Sequence, residues 1–241
     1  MHELARHLGE LAHVPVRPVT LDAAGVTRLA DGVRALPADA GAVLLTHTDP
    51  VLTRAAQDEL RASGARPLVT EEDATAIALT AALLGAVAGH GRRPEDSRHG
   101  RVVVAGAREL PILAPLLVAA GFADITLWNS ADATGFPLRS VVSGAYAVLD
   151  LTGSARACHD PGTTVITRGD AHAAPCAAAA LLRAALHTPG ATFDVEAYHA
   201  CALALAAPSS GRPVPPGTAQ ALTRRAADAV AHVFRTRQNT F

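Results

Sequence analysis

Apolar residues alternate along the chain between short runs typical of buried strands and longer runs with helical spacing. The short runs predict extended segments at Val14–Leu21, Ala42–Thr46, Pro67–Val69, Arg101–Ala107, Ile125–Trp128, Ala145–Leu151 and Thr164–Thr167. The helical spacing predicts helices at Ala23–Leu36, Val51–Ser63, Glu71–Ala88, Pro175–His187, Phe193–Ala206 and Gly217–Arg235, and one that ends at Ala120. Because right-handed crossovers through helices join parallel strands, this alternation predicts a doubly wound α/β fold with a mainly parallel sheet.

The segment that begins at Arg101, RVVVAGARELPILAPLLVAAGFADITLWN, has the order of a dinucleotide-binding βαβ unit. In such a unit, glycines in the first turn let a pyrophosphate approach the backbone at the start of a helix. Here Gly106 alone remains of three glycines, and Leu110 stands where the third would be. Pro111 suits a first helical turn, whereas Pro115 is expected to strain the helix interior.

Further polar positions follow neighbouring strands of the same unit. An acid commonly binds the ribose hydroxyls after the second strand, and this chain has the neutral Asn129 there. Arg108 can pair with a phosphate and offset the missing glycines, although the adjacent carboxylate of Glu109 opposes this. The predicted cofactor-binding residues are Gly106, Ala107, Arg108, Glu109, Asn129 and Thr152.

A polar connection at His90–Gly100, HGRRPEDSRHG, contains glycine and proline and marks the best boundary between two lobes. We therefore expect an additional small α/β lobe over residues 1–92 and a Rossmann-like domain over residues 93–241. A proline-rich loop is predicted at Pro208–Gly217.

Composition narrows the classes of partner. The formal charge is −1 and aromatic residues make up 3% of the chain, which argues against a role in binding nucleic acid. The apolar stretch Ile77–Ala88 is too short to span a bilayer, and the amino terminus lacks the apolar core of a signal peptide. Three widely spaced cysteines are typical of a reducing compartment, so we expect a cytoplasmic protein that does not bind membranes.

All 21 basic residues are arginine. The absence of lysine removes Schiff-base chemistry, a lysine general base and the lysine of a P-loop from this chain.

The order of these segments resembles the carboxyl-terminal, NAD(P)-binding part of malic enzymes. The segment Pro67–Ala78, PLVTEEDATAIA, and the helix at Ala81–Ala86 are similar to that family's PVFHDDQHGTAIV segment and its helix. Upstream, Gly41–Pro50 resembles the family's GINLEDI-x-AP segment, and the final helices follow in the family's order. The resemblance covers Leu11 to Arg235 and implies NAD or NADP as the ligand and a homodimer as the assembly. Because two of the three glycines of the turn are missing, we expect this binding to be weak.

The departures from the family are at its catalytic positions. The two acids of the EDI segment, which hold a divalent cation in malic enzymes, correspond to Leu45 and Thr46. Glu71, Glu72 and Asp73 keep acidity near the third metal ligand, but one acidic cluster holds such a cation poorly. We expect the chain to begin inside the family's second lobe, without the substrate lobe that carries the catalytic tyrosine and lysine, and whether a separate chain supplies that lobe stays open. We assign no catalytic residue, expect no metal, and expect no malic-enzyme activity from this chain alone.

Two other interpretations stay open. An enzyme of altered chemistry on a small polar substrate would use Glu71–Asp73, or His47 with Asp49. A non-catalytic partner protein would instead pair through exposed faces of Pro175–His187 and Gly217–Arg235. A zinc or redox site among Cys158, His159, His172, Cys176, His199 and Cys201 is disfavoured, because the spacings of zinc motifs are missing.

Overall fold

The computed structural model describes residues 1–64, 66–89, 100–155, 159–188, 191–206 and 216–238. Its α-helices are α1 (His2–Ala12), α2 (Val26–Arg34), α3 (Pro50–Ala62), α4 (Glu71–Gly89), α5 (Leu113–Ala119), α6 (Leu138–Val142), α7 (Ala174–His187), α8 (Val195–Leu205) and α9 (Pro216–Gln238). Its strands are β1 (Val43–Leu45), β2 (Leu68–Thr70), β3 (Val102–Ala105), β4 (Ile125–Trp128), β5 (Ala147–Asp150) and β6 (Thr164–Thr167). The predicted α/β fold is confirmed.

The larger sheet is parallel throughout and has the strand order β4-β3-β5-β6. Strand β3 lies between β4 and β5, and its last residue, Ala105, is aligned with Trp128 on one side and Asp150 on the other. Every residue of β3 is buried, which explains why its sequence is continuously apolar. The carboxyl ends of β3, β4 and β5 therefore meet at one edge of the sheet.

A second, two-stranded parallel sheet pairs β1 with β2 and is the centre of the small amino-terminal lobe. Helices α2 and α3 contact each other beside this sheet. The lobe has its own apolar cluster, to which Leu29, Val33, Leu45, Leu60 and Leu68 belong. The predicted small α/β lobe is thus present as a packed unit.

The main core lies around the alanine-rich helices α4, α7, α8 and α9, which pack against one another. It includes Leu8 and Ile77 from the amino-terminal part as well as Leu113 and Leu181 from the carboxyl-terminal part. The division at residues 92 and 93 stays a prediction, because residues 90–99 of the connection lie outside the described residues, as do residues 207–215 of the proline-rich loop.

The structure differs from the predicted elements chiefly near the amino terminus. Val14–Leu21 forms no strand, and the helix α1 precedes it. Pro15 and Pro18 explain the first difference, since proline has no N–H to donate to a strand ladder. The helix is amphipathic, and its buried residues Ala5, Leu8, Leu11 and Ala12 belong to one apolar face.

No helix in the described ranges combines the length and the apolar character that crossing a bilayer requires.

Candidate functional site

The strand order places a candidate ligand site at the carboxyl ends of β3 and β5. From β3 the chain crosses to β4 on one side of the sheet, whereas β5 lies on the other side. In open parallel sheets, ligands bind where the strand order reverses in this way. Gly106 directly follows β3, and Leu151 and Thr152 directly follow β5.

Gly106 occupies a position that excludes other residues. Its φ is 86°, in the left-handed region, and its N–H donates to the Trp128 carbonyl at 2.8 Å. A Cβ at this position would lie 2.9 Å from Thr152 Cγ2 and 3.2 Å from both Glu109 Oε1 and Leu151 Cβ. The glycine therefore lets the turn pass directly against the residues that follow β5.

The chain after Gly106 does not enter an α-helix directly. Ala107–Glu109 forms a 3₁₀ turn, Leu110 is buried in the main core, and α5 begins only at Leu113. The positive end of the α5 dipole is thus displaced from the turn. The expected strain at Pro115 is wrong, because this later start places the proline in the first turn of α5, where no N–H is needed.

Asn129 holds the glycine turn in place. Its Oδ1 accepts the N–H of Arg108 at 2.9 Å, and its own N–H donates to Asp132 Oδ2 at 2.8 Å. One main-chain donor of the turn is therefore bound to a protein acceptor instead of facing the site. A ligand has to gain affinity mainly from side chains here.

Thr152 is fixed by a buried carboxylate. Asp150, at the end of β5, is 1% exposed and accepts hydrogen bonds from the Thr152 N–H at 3.1 Å, the Thr152 hydroxyl at 2.9 Å and the Ala155 N–H at 2.8 Å. These bonds satisfy the charge of Asp150 inside the sheet edge. They also hold the Thr152 methyl group against Gly106.

An ion pair crosses the top of the site. Arg168 Nη2 lies 2.7 Å from Glu109 Oε2, and both side chains are about half exposed. Arg168 follows β6 and Glu109 belongs to the turn after β3, so the pair spans the end of β5 between them.

The structure brings the six predicted cofactor-binding residues to one sheet edge. Gly106, Ala107, Arg108 and Glu109 form the turn, Asn129 bonds to it, and Thr152 contacts it. Sequence reasoning missed Arg168 and Asp132. Both stand just after a predicted strand, and that position was the available signal for them.

The acidic segment at the start of α4 is largely engaged by the protein. Asp73 is completely buried, and its carboxylate accepts from Gln57 Nε2 at 2.9 Å, the Tyr198 hydroxyl at 3.0 Å and Arg54 Nη2 at 3.4 Å. Burial raises the pKa of Tyr198 well above its ordinary value, and the Asp73 charge adds to this shift. Burial also raises the pKa of Glu72.

The residues at the end of β1 have structural partners as well. The Glu71 carboxylate accepts the N–H of His47 at 3.1 Å, and Asp49 caps α3 by accepting from Val51 and Leu52. Leu45 is buried in the small lobe and offers no ligand atom. Within the described ranges, no group of three or more His, Cys, Asp or Glu side chains is arranged to hold a metal ion.

Two of the three cysteines are described, and both are inaccessible. Cys176 and Cys201 are free thiols in the helical core, where burial raises the pKa of each. Thiols in such surroundings are poor nucleophiles. Cys158 lies outside the described residues.

Comparison with known proteins links this fold to malic enzymes through structure alone. No family model matches the sequence, and neither does any curated protein. The fold is similar to an NAD-dependent malic enzyme from Thermotoga maritima, with a TM-score of 0.72 and 13% identity over 96% of this chain and 77% of that one. Malic enzymes from Pyrococcus horikoshii (TM-score 0.70, 14% identity, 99% of this chain and 71% of that one) and Entamoeba histolytica (TM-score 0.74, 16% identity, 98% of this chain and 64% of that one) are also similar.

The chain therefore has a malic-enzyme-like fold over nearly its whole length. It spans about two thirds to three quarters of those proteins.

Proposed function

We propose that this protein binds NAD or NADP weakly at the carboxyl ends of β3 and β5 and does not carry out the malic-enzyme reaction on its own. Gly106 is the observation that supports this most strongly. It combines a left-handed backbone with a close approach to Thr152, at the point of the sheet where the strand order reverses. A turn of this kind is what a nucleotide's phosphates need in order to approach the main chain.

Weak binding follows from the local geometry. The Arg108 N–H is bound to Asn129, and α5 begins too far along the chain to direct its dipole at the turn. Glu109 and Asp132 add negative charge beside the expected phosphate position. The residues that favour an anion are the guanidinium groups of Arg108 and Arg168.

The proposed absence of malic-enzyme activity is inferred from the residues at the metal-ligand positions. Leu45 and Thr46 replace the two acids that the malic-enzyme resemblance implies, and Leu45 is buried among apolar side chains. Leucine cannot coordinate Mg²⁺ or Mn²⁺, which both require oxygen ligands. The chain also has no lysine to serve as a general base.

We expect NADH or NADPH at about ten times its Kd to stabilise the fold by about 1.4 kcal/mol, because it binds only the folded state. For a domain of this size that corresponds to a rise in melting temperature of about 3–6 °C. Adenosine, which lacks the phosphates, is expected to give a smaller rise at equal concentration. Unchanged melting temperatures with both dinucleotides at millimolar concentration would remove the proposed ligand.

We expect no oxidative decarboxylation of malate by the isolated chain with either dinucleotide and Mn²⁺. The measurement is NAD(P)H production against a blank without enzyme. Turnover above the blank that a Thr46→Ala variant loses would contradict the proposal, because it would show a metal site that uses this position.

The localisation and the oligomeric state of the protein stay predictions. We expect a cytoplasmic protein, as the cysteine spacing and the amino terminus predict, and a homodimer, as the resemblance implies. Helix α7, one of the two helices predicted to pair with another chain, packs against α1, α4 and α9 and is largely buried, which disfavours its face as the contact surface. An apolar groove of about 670 Å³ between α8 and α9, where Leu203 is 47% exposed, is a surface open to contact. Sedimentation equilibrium checks the expected mass of about twice 24.6 kDa, and a monomer at all concentrations would contradict it.

A further inference from the structure

Glu109 lies where an anionic ligand would approach the turn. Its Oε1 is 3.2 Å from the position of a Cβ on Gly106, and its Oε2 accepts from Arg168 at 2.7 Å. The Glu109 carboxylate thus lies over the turn after β3 and also pairs with the guanidinium of Arg168, which follows β6. A bound phosphate would need the same two neighbours.

The main chain at both ends of this ion pair is fixed. The Glu109 N–H donates to the Gly106 carbonyl at 2.9 Å, within the 3₁₀ turn. Beside Arg168, the N–H and the hydroxyl of Thr167 both donate to Asp170 Oδ2 at 2.8 Å. Breaking the pair therefore requires only rotation of two side chains.

Arg168 can also readily exchange Glu109 for another anionic partner. The side chains of Arg168 and Glu109 are 47% and 46% exposed, so water screens their attraction. A guanidinium binds phosphate in a fork of two parallel hydrogen bonds, which matches or exceeds what one carboxylate oxygen supplies.

From these observations we infer that Glu109 is an internal competitor for the phosphate subsite, and that Arg168 is the residue that binds the ligand's phosphate once Glu109 moves aside. This inference rests on the proposed function and adds to it the determinant of selectivity. Glu109 lowers affinity for every phosphate-bearing ligand and leaves affinity for an uncharged nucleoside unchanged.

The test measures binding of inorganic pyrophosphate, NADH and adenosine to Glu109→Gln by isothermal titration calorimetry. The Glu109 charge opposes a bound phosphate by up to about 1 kcal/mol. Its removal is therefore expected to make Glu109→Gln bind pyrophosphate and NADH up to about fivefold more tightly than the wild type does. Adenosine is expected to bind all variants alike. The double variant Glu109→Gln with Arg168→Gln is expected to lose the gain, because the guanidinium is then absent.

A matched control separates this effect from a general change in charge. Glu59 forms a comparable surface ion pair with Arg34 at 2.9 Å in the small lobe. Glu59→Gln removes the same charge and should leave pyrophosphate affinity at the wild-type value.

The outcomes distinguish this inference from the proposed function. If Glu109→Gln gains pyrophosphate affinity through Arg168 and no variant binds NADH, the subsite is present and the proposed ligand is wrong. If NADH binds wild type and Glu109→Gln equally, the proposed function stands and the competitor role is overturned. Failure of pyrophosphate to bind any variant also overturns the assignment of Arg168.

Discussion

Replacing Asp73 with alanine is expected to lower the free energy of unfolding by about 3–5 kcal/mol. The carboxylate is completely buried and accepts hydrogen bonds from the side chains of Gln57, Tyr198 and Arg54. Its removal leaves the amide of Gln57 and the hydroxyl of Tyr198 in the core with a lost partner. Because these residues come from α3, α4 and α8, the change weakens contacts between the small lobe and the helical core.

Urea denaturation of Asp73→Ala, Tyr198→Phe and Tyr146→Phe measures the effect. Tyr198→Phe should cost about 1.5–3 kcal/mol, the typical loss when one buried hydrogen bond to a charged group is removed. Tyr146→Phe is the matched control, since the Tyr146 hydroxyl is buried without a hydrogen-bond partner among the described residues. A loss below about 0.5 kcal/mol for Asp73→Ala would show that the cluster contributes little to stability.

The cluster around Asp73 also predicts that the free energy of unfolding depends on pH in the alkaline range. The pKa of Tyr198 is raised in the folded state by burial and by Asp73. Above the ordinary tyrosine pKa of about 10, the unfolded chain therefore loses a proton that the folded chain keeps, and stability falls as pH rises. Tyr198→Phe should show a shallower loss of stability than the wild type in this range.

The second large effect is expected at Gly106, where alanine should cost about 2–4 kcal/mol of stability and abolish nucleotide binding. The added Cβ has to occupy a left-handed backbone and also meets Thr152 Cγ2 at 2.9 Å. Asp150 fixes the main chain of Thr152, so the threonine cannot yield without breaking hydrogen bonds.

Gly153→Ala is the control for Gly106→Ala. Gly153 also has a positive φ, of 75°, but a Cβ there would meet no atom within 4 Å. It should cost only the backbone strain, about 1–2 kcal/mol, and leave ligand affinity unchanged. Equal losses of stability and affinity in the two variants would contradict the role assigned to the contact between Gly106 and Thr152.

Much of the fold was predictable because local pattern and burial agree in the central elements. Thr164–Thr167 and Ile125–Trp128 begin and end as predicted, and the buried run at Val102–Ala105 forms the middle of the sheet. The apolar residues at Val14–Leu21 resemble the same signal, but Pro15 and Pro18 prevent pairing. Helix α1 was missed although its apolar residues Ala5, Leu8, Leu11 and Ala12 have helical spacing, because polar residues separate them along the sequence.

The residues of the candidate site could be predicted one by one from their positions after strands, but their contacts with one another could not. Gly106, Asn129 and Thr152 each follow a strand, and strand ends converge in a parallel sheet. The ion pair of Glu109 with Arg168 joins residues 59 positions apart, and a single sequence does not predict which basic side chain pairs with a given acidic one. The buried partners of Asp73 lie 16, 19 and 125 positions away, at Gln57, Arg54 and Tyr198, so its removal from solvent was not foreseeable either.

The most direct test of nucleotide binding uses Trp128, the sole tryptophan, whose carbonyl accepts the Gly106 N–H. NADH bound at this turn absorbs the light that the tryptophan emits. We expect saturable quenching of Trp128 fluorescence by NADH in the wild type and in Gly153→Ala, and none in Gly106→Ala. Fluorescence that stays unchanged in the wild type up to millimolar NADH, or that is quenched equally in Gly106→Ala, would contradict binding at this site.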